Sequence, residues 1–222
     1  MISLDDPTPF LDDCRARIRP IIGIDGVGFN KPRRAPATKD IWELNGFYQS
    51  HAETPRQVFK VLPLVATRLH EFWLSTQLAF VFTSGAYNLE WISMAVFEGA
   101  KSDEVKNPLL RAEWAPTNST RRTDHAQPHW HVYAKSESLL GHDRRLDDWN
   151  VEEDSTSHLE EEQPSQTLLT AFNLDRFHFA MESEWHSSGR GAHLQAFEKE
   201  KVLNWIDGCL SYIVDQLVYV DG

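Results

Sequence analysis

The chain has 222 residues, 41 % hydrophobic and 25 % charged, with a formal net charge of −11. That profile belongs to a folded globular protein long enough to bury a core, and it excludes a disordered or fibrous polymer. The negative balance argues against a generally basic nucleic-acid coat. The apolar run Leu78–Phe82 falls far short of the ~18 residues a membrane helix needs.

Met1 to Pro7 has neither a basic start nor an apolar run, so the expectation is a cytoplasmic protein without a secretory signal. Cys14 and Cys209 lie far apart and fit no metal or redox motif. They read as buried free thiols in a reducing compartment.

In chain order, a short helix is expected over Pro9–Arg19, ending before Pro20. Gly23 to Lys39 follows as an irregular loop carrying Lys31, Arg33 and Arg34, a basic set able to touch an anion. Thr54-Pro55-Arg56-Gln57 has the form of a helix start, with Thr as cap and Pro at the first helical position. Val58, Phe59, Leu62, Val65, Leu69, Phe72 and Trp73 then recur at spacings of three and four. The pattern predicts a helix kinked or broken at Pro63.

The period then changes to two. Leu89–Glu98, Leu109–Trp114, Pro128–Ala134 and Arg176–Trp185 are short, aromatic-rich and bounded by turn residues, which predicts strands. A last helix is expected from His193 to Val220, with Phe197, Val202, Trp205, Ile206, Cys209, Ile213, Leu217 and Val220 as its stripe. Strands without crossover helices favour antiparallel pairing. The expected fold is therefore one α+β domain, a four- to five-stranded antiparallel sheet with helices packed on one face and a polar, His-rich opposite face.

Charge is unevenly spread. Ser136 to Gln166 holds ten acidic residues against Arg144 and Arg145, a net −8 of the chain's −11. Its few apolar residues cannot offset the entropy of ordering it, so it reads as a mobile acidic insertion. It is either a solvated loop, a flap over a positive groove, or a contact for a protein partner.

Alternation sorts the strand residues by face. Leu110, Ala112 and Trp114 oppose Arg111 and Glu113. Trp130 and Val132 oppose His129, His131 and Tyr133. Phe177, Phe179, Met181 and Trp185 oppose Arg176, His178, Glu182 and Glu184. Solvated strand faces are ordinary, but histidine is an unusual choice for them, and His125 and His186 lie just past the strand ends.

A His-Trp-His strand places two imidazoles on one side of a metal ion. A third ligand from His178, Glu113 or Glu182 would leave an open position for water. The metal set read here is His129, His131 and His178, with a divalent ion as cofactor. Without a metal, His129, His131, His178, Glu113 and Tyr133 could serve as acid, base and orienting groups. Arg111, Arg121, Arg122 and Arg176, with His125, would bind a substrate phosphate. The plain alternative is a covered sheet face on which these residues pair with backbone carbonyls and acidic neighbours. No nucleophile elbow, P-loop or dinucleotide fingerprint is present. His70 reads as a helix residue engaged in packing or at the surface.

Asp124-His-Ala-Gln-Pro-His-Trp-His-Val132 resembles the Pro-His-aromatic-His-Val strand of several small bacterial families linked to toxin–antitoxin and phage-defence loci. Leu110-Arg-Ala-Glu-Trp114 is similar to the strand that precedes such a motif in some of them. The resemblance implies a role in prokaryotic conflict, cleaving or modifying RNA or DNA. The first functional reading is thus a phosphodiester-directed enzyme, a nuclease or toxin-like effector. Its overall negative charge is a difficulty for a long nucleic acid, which a small nucleotide, or access gated by movement of the acidic insertion, would ease. A second is a non-catalytic interaction subunit using the acidic segment, Trp130 and Trp149. A third is a binding module with an aromatic pocket.

Overall fold

In the computed structural model, β1 (Ser3–Leu4) leads into helix α1 (Thr8–Ile22), followed by β2 (Gly28–Arg34), β3 (Lys39–Asn45), β4 (Ser50–Thr54) and β5 (Gln57–Ala66). Next come β6 (Glu71–Thr83), β7 (Ala86–Glu98), β8 (Asn107–Trp114), β9 (His129–Val132) and helix α2 (Lys199–Asp221). The structure describes residues 2–34, 39–46, 50–54, 57–104, 106–115, 128–133 and 198–221. The predicted strand Arg176–Trp185 and the acidic segment 136–166 lie outside them.

The architecture is α+β with an open antiparallel sheet. It has nine strands among the described residues, against the four or five expected. The main order is β2-β3-β6-β7-β8-β9, with β1 on β7, and β5 on β6 carrying β4. The long β6–β7 hairpin is its spine, paired from Phe72–Glu98 to Thr83–Ala86 with one register shift between Ala79 and Phe80. Its turn, Ser84-Gly85, has both residues at positive φ, a conformation that glycine adopts freely and serine only at a cost.

The predicted helix over 54–73 is overturned: Thr54 ends β4, Gln57–Ala66 form β5, and 71–73 begin β6. Phe59 and Val61 are buried on one side of the sheet, Leu62 and Leu64 on the other. A strand covered on both faces is apolar at nearly every position, and such a run mimics helical spacing. Pro63 sits at a register irregularity in β5, where a missing N–H is tolerated. Thr54-Pro55 therefore marks the β4–β5 connection, with Thr54 extended before proline.

The irregular loop expected over 23–39 contains β2, whose Pro32 lies at another register shift in a strand that pairs only with β3 among the described residues. Helix α1 runs past the predicted stop at Pro20. That proline is exposed in the final turn, while Cys14, Ile18 and Ile22 continue a buried i, i+4 stripe. Gly23, left-handed, then closes the helix by donating its N–H to Arg19 O at 3.0 Å.

One large core joins Phe10, Cys14 and Ile18 of α1 and Val202, Ile206, Leu210 and Ile213 of α2 to strand residues such as Leu74, Leu78, Phe80, Ile92, Met94, Leu110 and Trp114. Phe10 meets Phe80 edge-on at 6.2 Å. The thiols of Cys14 and Cys209 are buried and free, and burial pushes both pKa values well above the usual range. A second, smaller cluster of Phe59, Val61, Trp73, Ala95 and Phe97 occupies the opposite face. No helix among the described residues is long and apolar enough to cross a membrane.

Candidate metal centre

β8 and β9 pair with Glu113 opposite His129 and Arg111 opposite His131, so all four side chains share the face away from the large core. The intervening Leu110, Ala112 and Trp114 are buried on the other side. Trp130, half-buried, packs against that same core and is therefore not presented as a free contact. Two-residue alternation thus does the local work. One flip of register would carry the imidazoles into the core and the tryptophans out.

The side chains converge closely. His129 Nε2 lies 2.8 Å from His131 Nε2, and Glu113 Oε2 lies 3.1 Å from His131 Nε2 and 3.6 Å from His129 Nε2. Metal bonds of ~2.1 Å would set neighbouring ligand atoms roughly 3.0–3.4 Å apart, depending on octahedral or tetrahedral geometry. The triangle brackets that range. It brings together three Lewis-basic atoms that have few protons to share, since a neutral imidazole carries only one N–H. Their side chains are 22, 30 and 19 % exposed, so the cluster is sheltered but reachable.

Burial by itself would raise the pKa of Glu113. The hydrogen bond from His131 and the charges of Arg111, His131 and His129 outweigh it and hold the carboxyl below the usual carboxylate range. The Arg111 Nε lies 3.2 Å from Glu113 Oε1, the oxygen not used toward His131. Arg111 is itself buried. A guanidinium in that position stabilises the charged carboxylate beside the histidines, a role that outer-sphere partners of metal ligands often take. The residue read from sequence as an anion clamp thus sits against a carboxylate.

Of the other predicted site residues, Tyr133 continues the alternation past the end of β9, and its N–H donates to Leu109 O at 2.9 Å. His178, Arg176, Arg121, Arg122 and His125 lie outside the described residues, and among the described residues the third group that could join the two histidines around an ion is Glu113.

Sequence reasoning missed several polar residues. His70 is not on a helix: it precedes β6, with Nδ1 2.6 Å from Glu98 Oε1 and both side chains nearly buried. Lys106, fully buried, donates to Ala100 O at 3.1 Å and Asp103 O at 2.8 Å and lies 4.5 Å from the Trp73 ring centroid. Burial lowers its pKa, against the raising effect of Asp103 and Glu71. It fastens the β7–β8 connection. Glu43 and Gln77, on the same face as the histidines, are hidden in the sequence because its period gives no strand at β3 or β6.

Comparison with protein-family models, curated proteins and solved structures finds no match, so the reading of this site rests on its geometry.

Proposed function

We propose that Glu113, His129 and His131 hold a divalent first-row metal ion, and that this centre hydrolyses a phosphodiester. The observation that carries the reading is the meeting of two Nε2 atoms and one carboxylate oxygen within 3.6 Å of one another, on adjacent strands. Imidazole with carboxylate suits zinc and its neighbours better than magnesium or calcium, which favour all-oxygen shells. Three protein ligands leave coordination sites open, and a bound ion would supply a water acidified toward a pKa of about 7.

The chain's own groups have distinct tasks. His129 and His131 fix two ligand directions from one strand, and Glu113 contributes the third from its neighbour. Arg111 keeps Glu113 charged beside them. The sheltered setting strengthens the charge interactions at the reacting phosphate. In the cell, the resemblance around Pro128–Val132 supports a toxin-like or defence effector, acting on a nucleotide or nucleic acid in the cytoplasm.

The test is metal analysis of the tag-free, full-length protein by mass spectrometry, followed by hydrolysis of bis(4-nitrophenyl) phosphate by the loaded protein. Near-stoichiometric metal, lost together with hydrolysis in His131→Ala, is the expected result. No metal uptake at micromolar Zn2+, Mn2+ or Fe2+ would overturn it. If hydrolysis is also absent and deletion of 143–163 abolishes a protein contact, the non-catalytic subunit reading replaces it.

A further inference from the structure

The histidine face carries a second feature that follows from strand register. Glu43 pairs with Gln77, Gln77 with Ser93, Ser93 with Glu113, and Glu113 with His129. Directly paired residues share a face, so these five side chains form one polar row across β3, β6, β7, β8 and β9. The neighbouring row is Ser75, Ala95, Arg111 and His131. Beyond it lie Trp73 and Phe97, against which Phe59 and Val61 of β5 pack.

The row's chemistry is graded. At one end stands the proposed metal centre. Ser93 contributes a mostly buried hydroxyl, and Gln77 an amide whose Nε2 donates to Glu43 Oε1 at 3.4 Å. Glu43 Oε1 also accepts the Lys60 N–H at 3.1 Å, so the row ends against the backbone of β5. Ser75, only 2 % exposed, has a hydroxyl with no hydrogen-bond partner among the described residues. Buried polar atoms are normally satisfied, and one left open beside such a row points to a ligand that would satisfy it.

Histidines aside, the cation on these two rows among the described residues is Arg111, and it faces Glu113. A polyanion tracking along the row would find no charge to neutralise its successive phosphates. With strands roughly 4.8 Å apart, Gln77 lies about 10 Å from Glu113 along the row.

We infer that the row Ser93–Gln77–Glu43, with Ser75 beside it, is the recognition strip for the uncharged, hydroxyl- or amine-bearing body of a small phosphoester, a single nucleoside-type unit whose one phosphate group sits at the metal centre. The inference rests on the phosphodiester reading of that centre, whose hydrolysis leaves a phosphate monoester of such a body. Gln77 and Ser93 donate and accept along the body, and Glu43 accepts from a hydroxyl or amino group at its far end. The buried cluster of Trp73, Phe97, Phe59 and Val61 closes the strip on the side beyond Ser75.

Calorimetry on the full-length, Zn2+-loaded protein separates the alternatives with three probes: adenosine monophosphate, phenyl phosphate and a ten-nucleotide oligodeoxyadenylate. Wild type is expected to bind adenosine monophosphate at least tenfold tighter than phenyl phosphate. That ratio should fall at least fivefold in Gln77→Ala and in Glu43→Gln, which keeps an acceptor for Lys60. Thermal melts check that each variant is folded. Equal affinities in wild type, or a ratio unchanged in both variants, overturn the strip while leaving a phosphate-binding centre. Tighter binding of the oligonucleotide overturns the single-unit body. If no phosphate-bearing probe binds the loaded protein, the phosphoester reading itself fails, and the strip with it.

Discussion

The two faces of the sheet are built from the same strands and differ in almost every other respect. Toward the helices, β6, β7 and β8 present Leu74, Leu78, Phe80, Met94, Leu110 and Trp114, which lock onto α1 and α2. Away from them the same strands present Gln77, Ser93, Arg111 and Glu113 beside a small aromatic cluster. The first face gains its free energy from non-directional burial, so it tolerates apolar exchanges that conserve volume but not the loss of side-chain volume. The second uses directed polar groups whose worth depends on a few ångströms of placement. Stability and chemistry are thereby assigned to opposite sides of one sheet, a separation that single substitutions can test.

The largest effect is expected on the helix side. Leu78→Ala removes a fully buried side chain and should cost about 2–5 kcal/mol in denaturant unfolding, with metal affinity of the folded protein unaltered. A large loss of metal affinity from this change would break the separation. On the other face, His129→Ala should lower metal affinity more than ~100-fold, beyond the effect of losing an outer-sphere partner, with apoprotein stability within about 1 kcal/mol of wild type. A collapse in stability instead would identify His129 as a structural residue. Arg111→Met is expected to be milder. The Glu113 carboxylate loses its brace, and metal affinity, measured by competition with a chromophoric chelator, should drop about 10–100-fold. The smallest effect concerns Cys14 and Cys209, whose buried, raised-pKa thiols should stay unlabelled by a thiol reagent in the native state and react fully in denaturant. Rapid native labelling would show that the helix-side core opens.

The sequence made the β8–β9 half of the site legible because those strands are covered on one face only by the large core. Arg111/Glu113 alternate with buried Leu110, Ala112 and Trp114, and His129/His131 with half-buried Trp130 and exposed Val132, so period two survives. β5 and β6 defeated the same logic for a physical reason. Where β5 lies on the start of β6 both faces are covered, so Val61, Leu62, Trp73 and Leu74 are all buried and no alternation remains to be read there. Losing those strands also hid Gln77, since a residue's face has no meaning until its strand and register are known. α1 and α2 kept their signal because a helix on a sheet buries one stripe. Even Pro20 did not interrupt α1, its ring being on the exposed side. His70 shows the converse error, a residue misassigned along with the helix proposed around it.

β9 is four residues long and, among the described residues, is hydrogen-bonded to β8 alone. Two of the three metal-directed atoms come from this strand and the third from the one beside it. A bound ion would therefore act as a clasp across that seam, and affinity would include the work of keeping the strand docked. By thermodynamic linkage, an ion at one hundred times its dissociation constant adds about 2.7 kcal/mol to the form that binds it. Amide exchange at Glu113, His129 and His131 should then slow on loading, while exchange at the centre of the β6–β7 hairpin stays as it was.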